Sequence, residues 1–330
     1  MQIVYISNRR DVAQKTLAYV ETLMPFITEA VFVCPRSLVK DFHFRSHMPV
    51  RVIDERSVLS KELSRFRGAR DHQFRNCLLR FSLGRVADIG DEFIMSDDDN
   101  RPLVEIPLSF YKSANRYFGY YYYHLKKWLA RETDYDKGQH ETYGILESKG
   151  YDTLSYSSHM PQIINKSLLA EVAEAFQDSL DRGAPLDEWS AYFNYGQSVY
   201  PERFHSPEPF KTLCWPPFPS DWDYDVRPDK FCFENFYPML YEKNLIFSDL
   251  PPRFDETSYT EITNEKIRRR TALQNDFEAG RISLWGKMFF LCRDMAERCP
   301  RLKRRLNAII PPSIQAMVLH FFMDGSSKKR

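Results

Sequence analysis

The stretch EFIMSDDDNRP, from Glu92 to Pro102, places three aspartates directly after a short apolar run. An apolar run of this length, followed by turn-forming residues, is typical of a buried β-strand. Three neighbouring carboxylates repel one another unless a cation lies between them. The stretch is therefore either a solvated acidic turn or a cation site at the end of a strand.

The segments around it alternate between strand-like and helix-like patterns, as in an α/β domain. The patterns predict strands over Gln2–Ser7, Glu29–Pro35 and Pro49–Glu55, and helices over Asp11–Thr22 and about Ala69–Asp88. In an open parallel sheet, ligands bind outside the carboxyl ends of the strands, near the point where the strand order reverses. We therefore expect Asp97–Asp99, at the end of the fourth strand, to lie where such a sheet holds a ligand.

The three aspartates offer hard oxygen ligands, which Mg²⁺, Mn²⁺ and Ca²⁺ prefer. An EF-hand is excluded, because the sixth and twelfth loop positions carry no glycine and no glutamate. A strand that ends in D-x-D and follows a helix with several arginines resembles the nucleotide-sugar-binding domain of GT-A glycosyltransferases. The resemblance covers about residues 1–100, with IMSDDDN as its sharpest motif.

This resemblance implies a GT-A-like, Rossmann-like α/β domain with an irregular acceptor half. It also implies a divalent cation, Mn²⁺ or Mg²⁺, held by Asp97 and Asp99. Asp98 is expected to touch the donor sugar or a ribose hydroxyl and to take part in catalysis. The further residues expected on the donor side are Ser7, Asn8, Arg70, Arg75 and Arg80. Guanidinium groups suit phosphate oxygens, but arginines on a helix are also common as solvated residues.

Two later segments extend the resemblance. SYSSHMPQIINKSLLAEV (Ser155–Val172) contains an H-x-P element before a helix, as in the later half of bacterial D-x-D glycosyltransferases. The same element is similar to one in the Stealth capsular sugar-phosphate transferases, although the opening IVYISNRRD does not match their first motif. His159 is expected to be a third metal ligand or a donor to the diphosphate. The alternative is a packed or capping histidine.

The second segment, DEWSAYFNYGQSVYPERF (Asp187–Phe204), is acidic and aromatic. An inverting transferase needs a carboxylate that accepts a proton from the acceptor hydroxyl. Asp187 and Glu188 are the candidates, with Glu188 ahead, and the aromatic run that follows would stack on an acceptor sugar. The alternative is a helix start with acidic residues in its first turn.

The C-terminal residues 281–330 carry eleven Lys or Arg against three Asp or Glu, a net charge of +8. Two apolar-faced segments flank the basic cluster RLKRR (Arg301–Arg305), which suits an anionic membrane surface. The alternatives are that these segments pack on the main domain, or that the tail binds nucleic acid, although it contains no recognised nucleic-acid-binding motif. The N-terminus lacks a signal-peptide pattern and the six cysteines are scattered, so we expect a cytoplasmic chain on the inner face of the membrane.

Together these patterns predict a glycosyltransferase domain over residues 1–280, with a donor half (1–102) and an acceptor half (103–280), followed by a basic amphipathic tail. The predicted function is the transfer of a sugar from a nucleotide-sugar to a glycan or lipid-linked glycan in bacterial surface polysaccharide synthesis. A sugar-1-phosphate transferase of Stealth type and a non-catalytic carbohydrate-binding protein are the rival functions.

Overall fold

The computed structural model describes residues 1–128, 131, 133–213, 229–236, 241, 246–251 and 258–281. From residue 282 onward, the predicted basic tail lies outside the described residues. The chain divides into two compact units, Met1–Leu213 with Tyr224–Asn235, and Cys214–Asp223 with Phe236–Arg330. All the elements that build the predicted site belong to the first unit.

The described strands and helices alternate through the first third of the chain. The strands, in chain order, are β1 (Gln2–Ile6), β2 (Glu29–Cys34), β3 (Val50–Asp54), β4 (Glu92–Ser96), β5 (Asn100–Pro102), β6 (Lys112–Ser113), β7 (Arg116–Tyr117), β8 (Tyr120–Tyr121), β9 (Tyr123–His124), β10 (Leu154–Ser155), β11 (Gln162–Asn165), β12 (Glu208–Pro209), β13 (Thr212–Leu213) and β14 (Phe233–Asn235). The α-helices are α1 (Arg10–Leu23), α2 (Glu55–Leu59), α3 (Leu63–Gly68), α4 (His72–Ser82), α5 (Asp134–Ser148), α6 (Lys166–Ala175), α7 (Gln177–Asp181), α8 (Glu188–Val199) and α9 (Tyr259–Glu278).

A five-stranded sheet in the order β11-β4-β1-β2-β3 forms the centre of the first unit. Its four N-terminal strands are parallel, and β11 runs antiparallel to β4. β2 is buried from Ala30 to Cys34, and β4 from Phe93 to Ser96. Continuous apolar strands of this kind are typical of a parallel sheet that is covered on both faces. The predicted α/β class is confirmed.

The strand order reverses between β1 and β4, because the chain runs outward from β1 through β2 and β3 and then returns to the other side of β1. Tyr5 in β1 lies opposite Ser96 in β4. Ser7 and Asp97–Asp99 therefore leave the sheet side by side at the carboxyl ends of two neighbouring parallel strands. The predicted position of the acidic triplet at such an end is confirmed.

Two antiparallel pairings bring later residues to the same edge. Gln162 at the start of β11 lies opposite Met95 near the end of β4, so the residues that precede β11 arrive beside the triplet. Asn235 at the end of β14 lies opposite Asn100 in β5. Strand pairing in two separate sheets thus gathers side chains that are far apart in the sequence.

Four helices, α4, α5, α6 and α8, pack against one another. The helix predicted over 69–88 is shorter than expected: Asp71 caps α4 by accepting from the Phe74 amide (2.9 Å), and a 3₁₀ turn over Leu83–Arg85 follows it. The apolar periodicity predicts a single helix over Lys166–Gly183, and the structure divides it into α6 and α7, because Phe176 leaves helical backbone geometry (φ −107°, ψ 12°). Within the described part of the chain, no helix combines the length and apolar character that crossing a membrane requires.

Candidate active site

Asp98, the middle residue of the triplet, points into the protein. Its side chain is 4% exposed, and its carboxylate accepts hydrogen bonds from the Ser7 hydroxyl and from the Arg9 guanidinium (Nε–Oδ2 3.2 Å). Burial raises the pKa of Asp98, although Arg9 and Ser7 act in the opposite direction. Asp98 therefore fixes the positions of Ser7 and Arg9, and does not line the cavity described below.

Asp99 is held from two sides. Its Oδ2 accepts from Arg9 Nη2 at 2.8 Å, and its Oδ1 accepts from the Asn235 amide at 2.8 Å. Its side chain is 18% exposed. Burial and the neighbouring charge of Asp97 raise the pKa of Asp99. A cation placed between Asp99 and Asp97 would stabilise the ionised form of Asp99.

Asp97 is the most exposed residue of the triplet, with 33% of its side chain accessible. Its Oδ1 accepts a hydrogen bond from Arg80 Nη2, and Asn100 Nδ2 lies 3.5 Å from its Oδ2. It lines a cavity of about 190 Å³ beside the carboxyl end of β4. Asp97 is thus the member of the triplet that a ligand in this cavity would meet.

The cavity is lined by residues that the sequence analysis assigned to the donor side and to the acceptor side. Its lining includes Asp97 and Arg80 from the donor side, His159 from the H-x-P element, and Glu188 from the acidic-aromatic segment. The rest of the lining is Gln73, Asn76, Tyr135, Tyr156, Ser157, Ser158, Met160 and Trp189. Four of the predicted site residues therefore meet at one cavity.

Arg80 and Glu188 form the charged centre of this cavity. Arg80 Nη1 donates to Glu188 Oε1 while its Nη2 donates to Asp97, so one guanidinium joins the two carboxylates. The Arg80 guanidinium also lies 5.2 Å from the centroid of the Trp189 ring. Gln73 Nε2 approaches the other oxygen of Glu188 at 3.2 Å.

Glu188 is 2% exposed at its side chain and begins α8. Burial raises the pKa of Glu188 to about 7, against the opposing effect of Arg80. A carboxylate with a pKa close to neutral exchanges a proton readily at physiological pH. The geometry and the pKa of Glu188 are both suited to a general base.

Asp187 has a different environment. It caps α8 by accepting from the Ser190 amide at 3.0 Å, and its Oδ2 accepts from Gln139 (2.7 Å) and Ser157 (2.6 Å). It is fully buried and is not part of the cavity lining. Asp187 holds the start of the helix that presents Glu188.

His159 occupies a strained position, since its φ of +50° lies in the left-handed region that few residues other than glycine adopt. Its ring packs edge to face on Tyr122, with 6.2 Å between the ring centroids. Backbone strain of this kind is kept where the surroundings enforce it, and it is frequent at functional sites. His159 lines the cavity together with Asp97.

The other predicted donor residues lie elsewhere. Arg70 and Asn8 are exposed, and neither lines the cavity. The Arg75 guanidinium lies 4.4 Å from the centroid of the Phe66 ring, also away from the cavity lining. Of the three arginines proposed for the donor phosphates, only Arg80 reaches the cavity.

Two site residues were not predicted from the sequence. Arg9 binds Asp98 and Asp99, and Asn235 binds Asp99. Arg9 follows the first strand by three residues, so the rule that ligands gather at strand ends would have found it. Asn235 had no local signal, because only the pairing of β5 with β14 brings it to the site.

Whether the site suits a divalent cation depends on Asp97, Asp98 and Asp99. Asp97 and Asp99 are hard oxygen donors, are the more exposed members, and lie close enough for their charges to interact. These two fit such a cation in chemistry and are more exposed than Asp98; both oxygens of Asp99 accept hydrogen bonds, from Arg9 and Asn235, and those of Asp98 are taken by Ser7 and Arg9. Among the described residues, no group of three or more His, Cys, Asp and Glu side chains is arranged to hold a metal ion.

No protein-family model matches the sequence, and no curated protein matches it. Among solved structures, mouse xyloside xylosyltransferase 1 is similar over 72% of this chain and 99% of its own, with 13% identity and a TM-score of 0.40. The galactosyltransferase LgtC, solved with donor and acceptor sugar analogues, is similar over 80% of this chain and 95% of its own, with 10% identity and a TM-score of 0.39. Similarity at this level does not establish a shared activity.

Proposed function

We propose that this chain is a metal-dependent glycosyltransferase with a GT-A-type donor site, which transfers a sugar from a nucleotide-sugar to a glycan or lipid-linked glycan. The observation that carries the proposal is the bridge that Arg80 makes between Asp97 and Glu188 beside one cavity. This bridge joins a carboxylate suited to a cation, a guanidinium suited to phosphate and a carboxylate suited to proton transfer.

On the donor side, Asp97 and Asp99 hold Mn²⁺ or Mg²⁺. Such a cation, when bound, would neutralise negative charge on the diphosphate leaving group. Arg80 binds a phosphate oxygen, and Arg9, fixed by Asp98, adds positive charge at the end of β1. His159, on the same cavity wall, binds the cation or the diphosphate.

On the acceptor side, Glu188 accepts the proton from the attacking hydroxyl group. Its pKa of about 7 makes it a competent base at neutral pH without leaving it permanently charged in a buried place. Trp189 and Tyr135 line the same cavity and offer aromatic surface to a sugar ring. Asp187 keeps α8 in position through its capping bond to the Ser190 amide.

The proposal is tested by incubating the purified chain with a panel of nucleotide-sugars and Mn²⁺ and identifying the released nucleotide. We expect a nucleoside diphosphate, and a loss of at least about 100-fold in turnover for Glu188→Gln, in line with the usual contribution of a general base. Glu174→Gln makes the same charge change at an exposed residue and serves as the control. A nucleoside monophosphate would instead indicate sugar-phosphate transfer, and nucleotide binding without turnover would indicate a carbohydrate-binding protein.

The location of the acceptor is a further part of the proposal. The net charge of +8 over residues 281–330 supports contact with an anionic membrane surface, where an acceptor for surface polysaccharide synthesis would be carried on lipid. The chain would then work as a peripheral protein on the inner face of a bacterial membrane.

A further inference from the structure

The guanidinium of Arg80 occupies Oδ1 of Asp97, the carboxylate that lines the cavity. Arg80 is 12% exposed at its side chain, is in the last turn of α4, and uses separate nitrogens for Asp97 and Glu188. Burial lowers the pKa of Arg80, but the two carboxylates outweigh it and raise the pKa, so the group stays charged. Asp97 therefore already has a positively charged partner when no donor is bound.

The charges of the surrounding cluster do not balance. Two guanidinium groups, Arg9 and Arg80, directly bind four carboxylates: Asp97, Asp98, Asp99 and Glu188. With all six groups ionised, four negative charges face two positive charges, and the cluster keeps a net charge of −2. A divalent cation matches this charge, and at Asp97 Oδ1 it would compete with the guanidinium.

The two bonds of Arg80 differ in how easily they can be broken. Glu188 is 2% exposed, so removing its guanidinium partner would leave a buried charge without compensation. Asp97 is 33% exposed, so water or a metal ion can replace the guanidinium there. The bond to Asp97 is therefore the one that water or a metal ion can displace.

We propose that Arg80 holds Asp97 in the donor-free chain and releases it to the divalent cation, while its bond to Glu188 is kept. The nitrogen that leaves Asp97 is then free to donate to an oxygen of the donor diphosphate. Arg80 thus exchanges Asp97 for the donor diphosphate when the site is loaded. This inference rests on the proposed function, because it requires that Asp97 is a ligand of the cation.

The test measures binding of Mn²⁺ alone, without a donor, by the loss of the free-ion signal in electron paramagnetic resonance. Because Arg80→Gln removes the competing charge, we expect it to bind Mn²⁺ about tenfold more tightly than the wild type. Arg85→Gln makes the same charge change in an arginine that pairs with Glu174, and we expect unchanged affinity. Asp97→Asn should abolish the gain when it is combined with Arg80→Gln.

A second variant guards against loss of folding, which circular dichroism would reveal. Arg80→Gln combined with Glu188→Gln removes both charges of the buried pair, and it should still bind Mn²⁺ more tightly than the wild type. Unchanged or weaker binding in both variants, or no binding in any protein, would overturn the exchange of partners. Donor turnover that persists in EDTA would overturn this inference and the metal dependence of the proposed function, while sugar transfer itself would stand.

Discussion

The raised pKa of Glu188 makes stability depend on pH in a way that one substitution can isolate. An ordinary glutamate has a pKa of 4.5, and burial raises that of Glu188 to about 7. Below pH 4.5 the residue is protonated in both the folded and the unfolded chain, so it does not affect their balance. As the pH rises from 4.5 to 7, the unfolded chain releases its proton first, and the folded state loses stability.

The magnitude follows from the two pKa values. At 1.36 kcal/mol for each factor of ten, the complete change between 4.5 and about 7 destabilises the folded state by about 3 kcal/mol. Most of this change falls between pH 5 and pH 8. Arg80, Asp97, Asp187 and Cys77 are the charged or titratable groups whose interaction with Glu188 shapes this change.

Glutamine has nearly the shape of glutamate but cannot ionise, so the Glu188→Gln variant does not lose this part of its stability as the pH rises. We expect its free energy of unfolding, relative to the wild type, to rise by about 2 to 3 kcal/mol from pH 5 to pH 8. Urea unfolding at four pH values in this range measures the difference. Glu174→Gln, at a side chain that is 70% exposed, should track the wild type throughout. A difference between Glu188→Gln and wild type that stays constant across the range would refute the argument.

Three further outcomes are expected. Asp98→Ala should lower the free energy of unfolding by about 2 kcal/mol, since it leaves the buried Ser7 hydroxyl and the half-exposed Arg9 guanidinium without their acceptor. Asp97→Ala should change stability by less than about 1 kcal/mol and abolish transfer. Equal destabilisation in urea would contradict the different orientations of these two aspartates. His159→Ala should reduce turnover at least about tenfold with little change in melting temperature, and a variant that melts early but turns over normally would make His159 a packing residue. The full chain should sediment with acidic liposomes, and this binding should weaken as salt is added. Deletion of residues 281–330 should abolish it. Salt-independent binding, or binding by the shortened chain, would exclude the electrostatic attachment.

Some of the site follows from rules that act over a few residues. Apolar runs with turn residues predicted β1 to β4, and the position of the aspartates at the end of β4 followed from the direction of a parallel strand. A helix start at Asp187 and Glu188 was one of the two interpretations of the sequence, because acidic residues are favourable in the first turn of a helix. Helix lengths were less predictable, since packing decides where α4 ends and where α6 breaks.

The roles of the charged residues needed the tertiary structure. In the sequence, Asp97, Asp98 and Asp99 are three equal neighbours, and only the packing against Ser7 and Arg9 turns the middle one inward. The arginines near α4 were likewise indistinguishable until the fold brought one of them to the cavity.

Periodicity and turn chemistry act locally, so the sequence by itself determined the α/β class, the strands and the end of the sheet where a ligand would bind. Partners across the site depend on pairing between distant segments: β11 brings His159, β14 brings Asn235, and α8 brings Glu188 to Arg80. Burial then sets the pKa of Glu188, and burial is a property of the whole packed unit. No local pattern encodes it, which is why only the tertiary structure decided which carboxylate is poised near neutral pH.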